Sequence, residues 1–263
     1  MNYSKMFKKS MVVILSVSFI AASASGALSG FKDSADFDYG WEMDYYPWDT
    51  ANVDLDASGG RDWIQSSSSH FTLNAGILTC TSSTSGGLLA NDSSYDEAFW
   101  PQASMNAQTG FTTDFSIKVT SDTGSNGAFK VQVSPYDSTN TDVLFIGADH
   151  VTYYVDGGDN IVLDTSDNTD AFHSFRIARH IDEPTTSSIW RDGVLIGDSL
   201  AVTWTPTGHR YYIGDIDSSV NGTYEMDYLR VTPGAWAVPE PAMLSLFGLG
   251  GLALFRKRRH NRK

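Results

Sequence analysis

Between about residues 31 and 234, apolar and polar residues recur with a period of two, and no long stretch carries the 3.6-residue period of a helix. Phe115, Ile117 and Val119 alternate with Asp114, Ser116 and Lys118, and Phe129, Val131 and Val133 alternate with Lys130 and Gln132. Each run predicts a half-buried strand, because successive side chains on a strand point to opposite faces. Further strands are expected at 141–147, 150–156, 172–180, 187–196, 210–217 and 223–232, separated by Gly, Asp, Asn and Ser. Asp192-Gly193, inside SSIWRDGVLIG, predicts a type I′ hairpin, since both central positions need positive φ; Asn221-Gly222 predicts another between YYIGDID and YEMDYLRV. No internal repeat links these hairpins, which disfavours a propeller or solenoid. The pattern predicts an all-β fold, a two-sheet antiparallel jelly-roll sandwich.

Both ends depart from this pattern. Lys5, Lys8 and Lys9 precede an apolar run at 11–22, and Ala22-Ser23-Ala24 offers small residues to a leader peptidase, so residues 1–24 read as a helical secretory signal peptide. No cysteine sits at the junction, which excludes a bacterial lipoprotein. At the other end an apolar stretch at 242–255 stops at Arg256, Lys257, Arg258 and Arg259. As a helix it would be about 21 Å long at roughly 1.5 Å per residue, short of the roughly 30 Å hydrocarbon core. Trp236 at the outer interface and arginines snorkelling to the inner one would complete a span, and the basic cluster marks the cytoplasmic side. The expected organisation is therefore the leader (1–24), one sandwich domain (25–234) and a C-terminal segment (235–263), with the domain outside and the C-terminal hydrophobic helix in the inner membrane before processing.

Pro239-Glu240-Pro241, a Gly-containing hydrophobic stretch and an Arg-rich end together resemble the PEP-CTERM sorting signal over roughly the last 26 residues. The resemblance implies recognition by an exosortase, a transpeptidase-like membrane enzyme, and transfer to the cell envelope, surface or exopolysaccharide matrix. The two prolines keep the segment extended and its backbone unpaired, as a protease-like site needs, and Glu240 supplies the charge for recognition.

Charge narrows the partners. Residues 25–238 hold nine Lys and Arg against thirty Asp and Glu, a net charge of −21, so nucleic acid is a poor partner and an anionic membrane repels the domain. Asp outnumbers Glu 26 to 5, which fits a turn-rich protein because Asp bonds its own backbone in turns; calcium binding is the sharper alternative. Cys80 is the one cysteine, so no intramolecular disulfide forms, and its place in the ILTCT alternation suits a buried thiol.

HSFRIARH, SSIWRDGVLIG, RYYIGDI and GTYEMDYLRVTPGA, in this order over roughly 172–234, resemble the laminin-G-like, concanavalin A-like lectin and glucanase superfamily. That resemblance implies a jelly roll and a choice among sugar binding, adhesion and glycan hydrolysis or lysis. Hydrolases of the superfamily carry Glu-x-Asp-x-Glu on one strand, where period two aims three carboxylates into a groove. Glu42-Met43-Asp44 and Glu225-Met226-Asp227 begin that pattern, but Tyr46 and Leu229 stand where the third carboxylate belongs. Strict alternation puts Glu225 and Asp227 on one face with Leu229 and Val231, and Met226 and Tyr228 on the other.

Trp41, Tyr45, Tyr46 and Trp48 form a candidate sugar-stacking platform, or pack the core of the first strand. Asp217, Ser219, Asn221 and Glu225 place oxygen donors at the alternation of a calcium loop, and Asp164 and Asp170 bound a second polar turn; both segments equally make ordinary turns. The histidines show no HExxH spacing, and GxSxG and P-loop motifs are absent. These observations predict an exported, surface-sorted, non-catalytic protein that binds polysaccharide or contributes to the matrix. A glycan hydrolase or lyase with an unrecognised site and a purely structural matrix protein are the alternatives.

Overall fold

The computed structural model describes residues 28–44, 46, 64–65, 70–81, 87–90, 110–133, 140–155, 160–180, 186–203, 211–214 and 218–239. The strands in chain order are β1 (Gly30–Phe31), β2 (Tyr39–Trp41), β3 (Ile64–Gln65), β4 (Phe71–Asn74), β5 (Ile77–Thr81), β6 (Gly87–Ala90), β7 (Phe111–Asp122), β8 (Phe129–Val133) and β9 (Asp142–Ile146). They continue with β10 (Val151–Tyr154), β11 (Asn160–Asp164), β12 (His173–Arg179), β13 (Thr186–Arg191), β14 (Val194–Ala201), β15 (Tyr211–Gly214), β16 (Gly222–Pro233) and β17 (Trp236–Ala237). The expected leader and C-terminal helices lie outside the described residues. Among those described, no helix is long and apolar enough to cross a membrane.

Two antiparallel sheets form the sandwich. One runs β11-β10-β9-β8-β15-β6-β3, and the other runs β14-β13-β12-β7-β16-β5-β4 with β2 added against β16. The two 12-residue strands β7 and β16 lie side by side at the centre of the second sheet, paired from Gly222↔Asp122 to Pro233↔Phe111 with two shifts of register between. Odd-numbered residues of β7 face the core: Phe115 lies 5.7 Å from the ring of Phe175 on β12 and 5.7 Å from Phe129 of the opposite sheet. Phe129 in turn meets Tyr224 edge-on at 4.8 Å, so an aromatic cluster joins the sheets through contacts of about 0.5–1.5 kcal/mol each beyond area burial. At one end of the core a fully buried ion pair crosses the gap: Arg179 Nη1 donates to Asp142 Oδ2 at 2.8 Å, and Tyr153 OH donates to Asp142 Oδ1 at 2.8 Å. Cys80 is buried, as the alternation predicts.

The predicted strands are present, with three differences. First, β7 and β8 are buried on both faces over most of their length, where alternation predicted one wet face. For β7 the cover is a third layer, the parallel pair of β1 and β17 and the chain around it. Second, Asp192-Gly193 is the expected hairpin turn, with φ of 49° and 78°, but Asn221-Gly222 joins no hairpin. Strand β15 belongs to the seven-stranded sheet and β16 to the other, so the segment crosses between sheets. Gly222 is required there by packing, since a methyl group would collide with Ser121 O and Ala128 Cβ. Third, the pairing of β16 with β7 slips between Met226 and Tyr228, a β-bulge at Asp227. The bulge shifts the phase: Tyr224, Met226, Leu229 and Val231 all face the core, and Glu225 and Asp227 do not share their face.

A hairpin not read from the sequence joins β4 to β5 through Ala75 and Gly76, whose φ values are 50° and 77°. Ala75 carries a left-handed conformation that costs an L-residue about 1–2 kcal/mol. Replacing it by Asn or Gly, residues that tolerate this region, is expected to stabilise the domain by about 0.5–1 kcal/mol in denaturant unfolding.

Candidate functional site

Even-numbered residues in the first half of β7 point away from the core, and two terminal segments cover Thr112 and Asp114. Thr112 fixes the C-terminal one: its Oγ1 donates to Gly234 O at 2.7 Å and accepts from Trp236 N at 2.8 Å. The N-terminal one is joined to it by Ser29 N donating to Ala235 O at 2.6 Å and Lys32 N to Ala237 O at 3.3 Å. Beneath them Ala178, Trp190, Ala235 and Ala237 form a small apolar cluster with Val238 packed against it.

Asp114 is the centre of this layer. Register places it opposite Arg176 on β12 and Arg230 on β16. Arg176 Nε and Nη2 both donate to Asp114 Oδ2, at 2.8 and 2.7 Å, and Tyr228 OH donates to Oδ1 at 3.0 Å. Arg176 Nη1 then reaches Lys32 O and Ala237 O, each at 2.8 Å, so one guanidinium holds the sheet and both terminal segments. Burial raises the Asp114 carboxyl above its usual range, while Arg176 opposes that shift. Burial also lifts the Tyr228 hydroxyl, and the neighbouring Asp114 charge adds to the rise. Beside the pair lies a cavity of about 190 Å³ lined by Ser34, Asp114, Arg176, Trp190, Tyr228 and Pro239 among others. It is smaller than the roughly 300 Å³ at which small-molecule pockets begin, and so fits part of a ligand only.

The network continues into the carboxylates singled out in the sequence. Arg230 forks onto Glu42, with Nε–Oε1 at 2.6 Å and Nη2–Oε2 at 2.8 Å, while its Nη1 donates to Ser34 Oγ at 3.1 Å. Asp227, on the bulge, has its carboxyl raised by burial first and by the charge of Glu42 second, against the pull of Arg230. The two half-motifs are thus brought together: Glu42 comes from the first and Asp227 from the second. Asp44 is exposed, and Glu225 is half-buried on β16.

The other sequence candidates scatter. Trp41 is buried in the core beside Leu229 of β16, Tyr46 is exposed, and Tyr45 and Trp48 lie outside the described residues. Asp217 is likewise outside. Ser219 and Asn221 present their carbonyls to the backbone of 123–126, locking that loop to the start of β16. Asp164 Oδ1 accepts from Thr165 N, Ser166 N and Ser166 Oγ while Oδ2 pairs with Arg191, the closed arrangement of a polar turn. Asp170 bonds His173 Nε2 at 2.9 Å, and Asp192 bonds its Nδ1 at 2.7 Å. Among the described residues no group of three or more His, Cys, Asp or Glu converges on a metal position. Trp236, expected at a membrane interface, is held in β17 with its ring nitrogen donating to Pro233 O at 2.7 Å.

One arrangement was not legible from spacing. Ser188 Oγ lies 2.7 Å from His180 Nε2 and donates to Asp198 Oδ1 at 2.7 Å, and Thr186 Oγ1 lies 3.1 Å from His180 Nδ1. The order is Asp–Ser–His. With its one proton given to Asp198, the serine accepts from the imidazole, so the histidine is not placed as its base.

Residues 237–259 match the PEP-CTERM protein-sorting motif. The C-terminal tail is a PEP-CTERM sorting signal. The protein is accordingly exported and associated with the cell envelope, sorted through its C-terminus. Of the signal, Pro239 is described and lines the cavity, whereas Glu240, Pro241, Arg256, Lys257, Arg258 and Arg259 fall outside the described residues. No curated protein matches the chain in sequence.

Among solved structures, an alginate lyase of polysaccharide lyase family 7 is similar at 15% identity and a TM-score of 0.44, over 64% of this chain and 84% of that one. A carbohydrate-binding module, CBM66, from Bacillus subtilis is similar at 15% identity and 0.42, over 66% and 96%. The binding domain of botulinum neurotoxin serotype D is similar at 11% identity and 0.49, over 78% and 49%. At these scores the likenesses assign neither ligand nor chemistry.

Two outcomes are expected. Arg176→Met leaves Asp114 buried without its cation and should cost about 3–5 kcal/mol in unfolding, with faster amide exchange at Lys32 and Trp236; adding Asp114→Leu should recover part of the loss. In NMR titration Asp227 should ionise above the usual Asp value of 3.8, and Glu42→Gln should bring it down. A raised carboxyl favours the protonated form in the fold, so this contribution to stability is present at low pH and is lost as pH rises through the folded value.

Proposed function

We propose that this protein is a non-catalytic, surface-sorted β-sandwich that binds polysaccharide in the envelope or exopolysaccharide matrix. The observation that carries this reading is the joining of the sorting signal to the fold: the match begins at Ala237, inside the last strand, so signal and sandwich are one unit. In this reading the leader at 1–24 exports the chain and the apolar stretch at 242–255 holds it in the inner membrane. An exosortase-type enzyme then acts at Pro239-Glu240-Pro241, using the basic end at Arg256–Arg259 as the inner stop. A charge of −21 favours a neutral glycan chain over an anionic one, unless a divalent cation such as Ca²⁺ bridges the two. Two separate segments remain proposed for such a cation, Asp217, Ser219, Asn221 and Glu225 in one and Asp164 and Asp170 in the other, with Tyr46, Tyr45 and Trp48 as the proposed stacking surface.

The test is glycan-array binding of the exported chain with calcium added and with chelator. Binding to neutral glycans supports the reading, and binding at background under both conditions overturns it, leaving a structural matrix protein.

A second reading rests on Asp227 and Glu42. A carboxyl raised beside a second carboxyl group is the electrostatic arrangement of an acid and its partner in glycan cleavage. If it held, a broad polysaccharide panel would yield new chain ends, and Asp227→Asn would abolish them.

A further inference from the structure

We propose that the rim around the chain's exit at Val238–Pro239 is a membrane-docking face, built to rest on the outer surface of a lipid bilayer while the tail is inserted. The proposal rests on the anchoring reading above and adds which face of the domain meets lipid. Two residues, Glu240 and Pro241, separate Pro239 from the apolar stretch that begins at Ala242. Three residues reach at most about 10 Å when fully extended. The headgroup layer on each side of a bilayer is itself roughly 5–8 Å deep. Fully stretched, the tether clears that layer by only a few ångströms, and the apolar stretch at 242–255, about 21 Å long against a core of roughly 30 Å, draws the exit inward, so the exit rim meets the headgroup zone.

The side chains at that rim are the ones such a position favours. Phe31, 52% exposed, pairs in register with Ala237, two residues before Pro239. On the other side of the exit is the tip of the β13–β14 hairpin: a methyl group on Gly193 would sit 3.6 Å from Val238 Cγ1, and Gly193 lines the same cavity as Val238 and Pro239. The next two residues are Val194, 64% exposed, and Leu195, 48% exposed. Phe172 completes the rim, since Ser174 exchanges backbone and side-chain hydrogen bonds with Asp192 of the same tip. In a soluble protein, apolar side chains gathered at one place mark an interaction surface. Here the chain leaving through their midst carries its own apolar stretch, so lipid is the partner already within reach.

Charge sets the kind of surface. Asp33, Asp36, Asp38, Asp170 and Asp192 stand close to the rim, against Lys32 and His173. The face therefore suits zwitterionic lipid, and anionic lipid should weaken docking at low ionic strength and less so at high salt.

The experiment uses the full chain reconstituted in phosphatidylcholine vesicles, in a Cys80→Ser background. An environment-sensitive probe is attached at Leu195→Cys or, as control, at Thr72→Cys, an exposed site on β4 at the opposite edge of the same sheet. Lipids with a nitroxide headgroup report contact, and protection of His260→Cys from an impermeant thiol reagent reports tail insertion separately. The expected result is a protected tail with quenching at Leu195 at least about threefold stronger than at Thr72, abolished when a probe at Phe172→Cys is combined with Val194→Asp and Leu195→Asp. A protected tail with equal, weak quenching at both sites overturns the docking face and leaves the anchor intact. An unprotected tail overturns the anchoring reading, and the docking face with it.

Discussion

Arg176 donates to Asp114 and also to the backbone carbonyls of Lys32 and Ala237, so one buried cation joins the eight-stranded sheet to both terminal segments. Each partner solves a problem for the others. The carboxylate makes a buried guanidinium tolerable, and the guanidinium gives Lys32 O a donor and Ala237 O a second one beside Lys32 N. Tyr228 and Arg230 extend the same layer to Ser34 and Glu42, so the outer face of the sheet is closed by polar contacts, while the inner face is closed by aromatic ones.

Much of this was legible as pattern. The alternation around Phe115 and Phe129 located two central strands, and Asp192-Gly193 located a hairpin, because both rest on rules confined to a few neighbouring residues. What failed were inferences about faces and partners. Alternation says that Asp114, Ser116 and Lys118 share a side, but not that residues from both ends of the chain return to cover it. Asn221-Gly222 has the letters of a hairpin, yet the strand before it pairs in the other sheet, a long-range choice that no local signal carries. A one-residue bulge at Asp227 then reversed the face assignment for the rest of β16.

The candidate site was legible in its parts and not in its assembly. Glu42 and Asp227 stood out as fragments of a carboxylate motif, and they come near enough for the charge of Glu42 to raise Asp227, but from two strands and not along one. Arg176 and Asp114 carried no motif at all, because their role comes from register between β7 and β12. The PEP-CTERM signal was the reverse case: a linear recognition element, read by its order in the sequence and independent of any fold.

The parallel pairing of β1 with β17 also determines how the molecule bears force. The tail leaves from the C-terminal end of β17, so a pull on it from the envelope is directed along that strand. The bonds from Ser29 to Ala235, from Lys32 to Ala237 and from Arg176 to Ala237 run across the direction of pull. They are loaded together, in shear, and none can open ahead of the rest as in a zipper. A domain pulled by its tail is thereby fastened at the point where the tension enters.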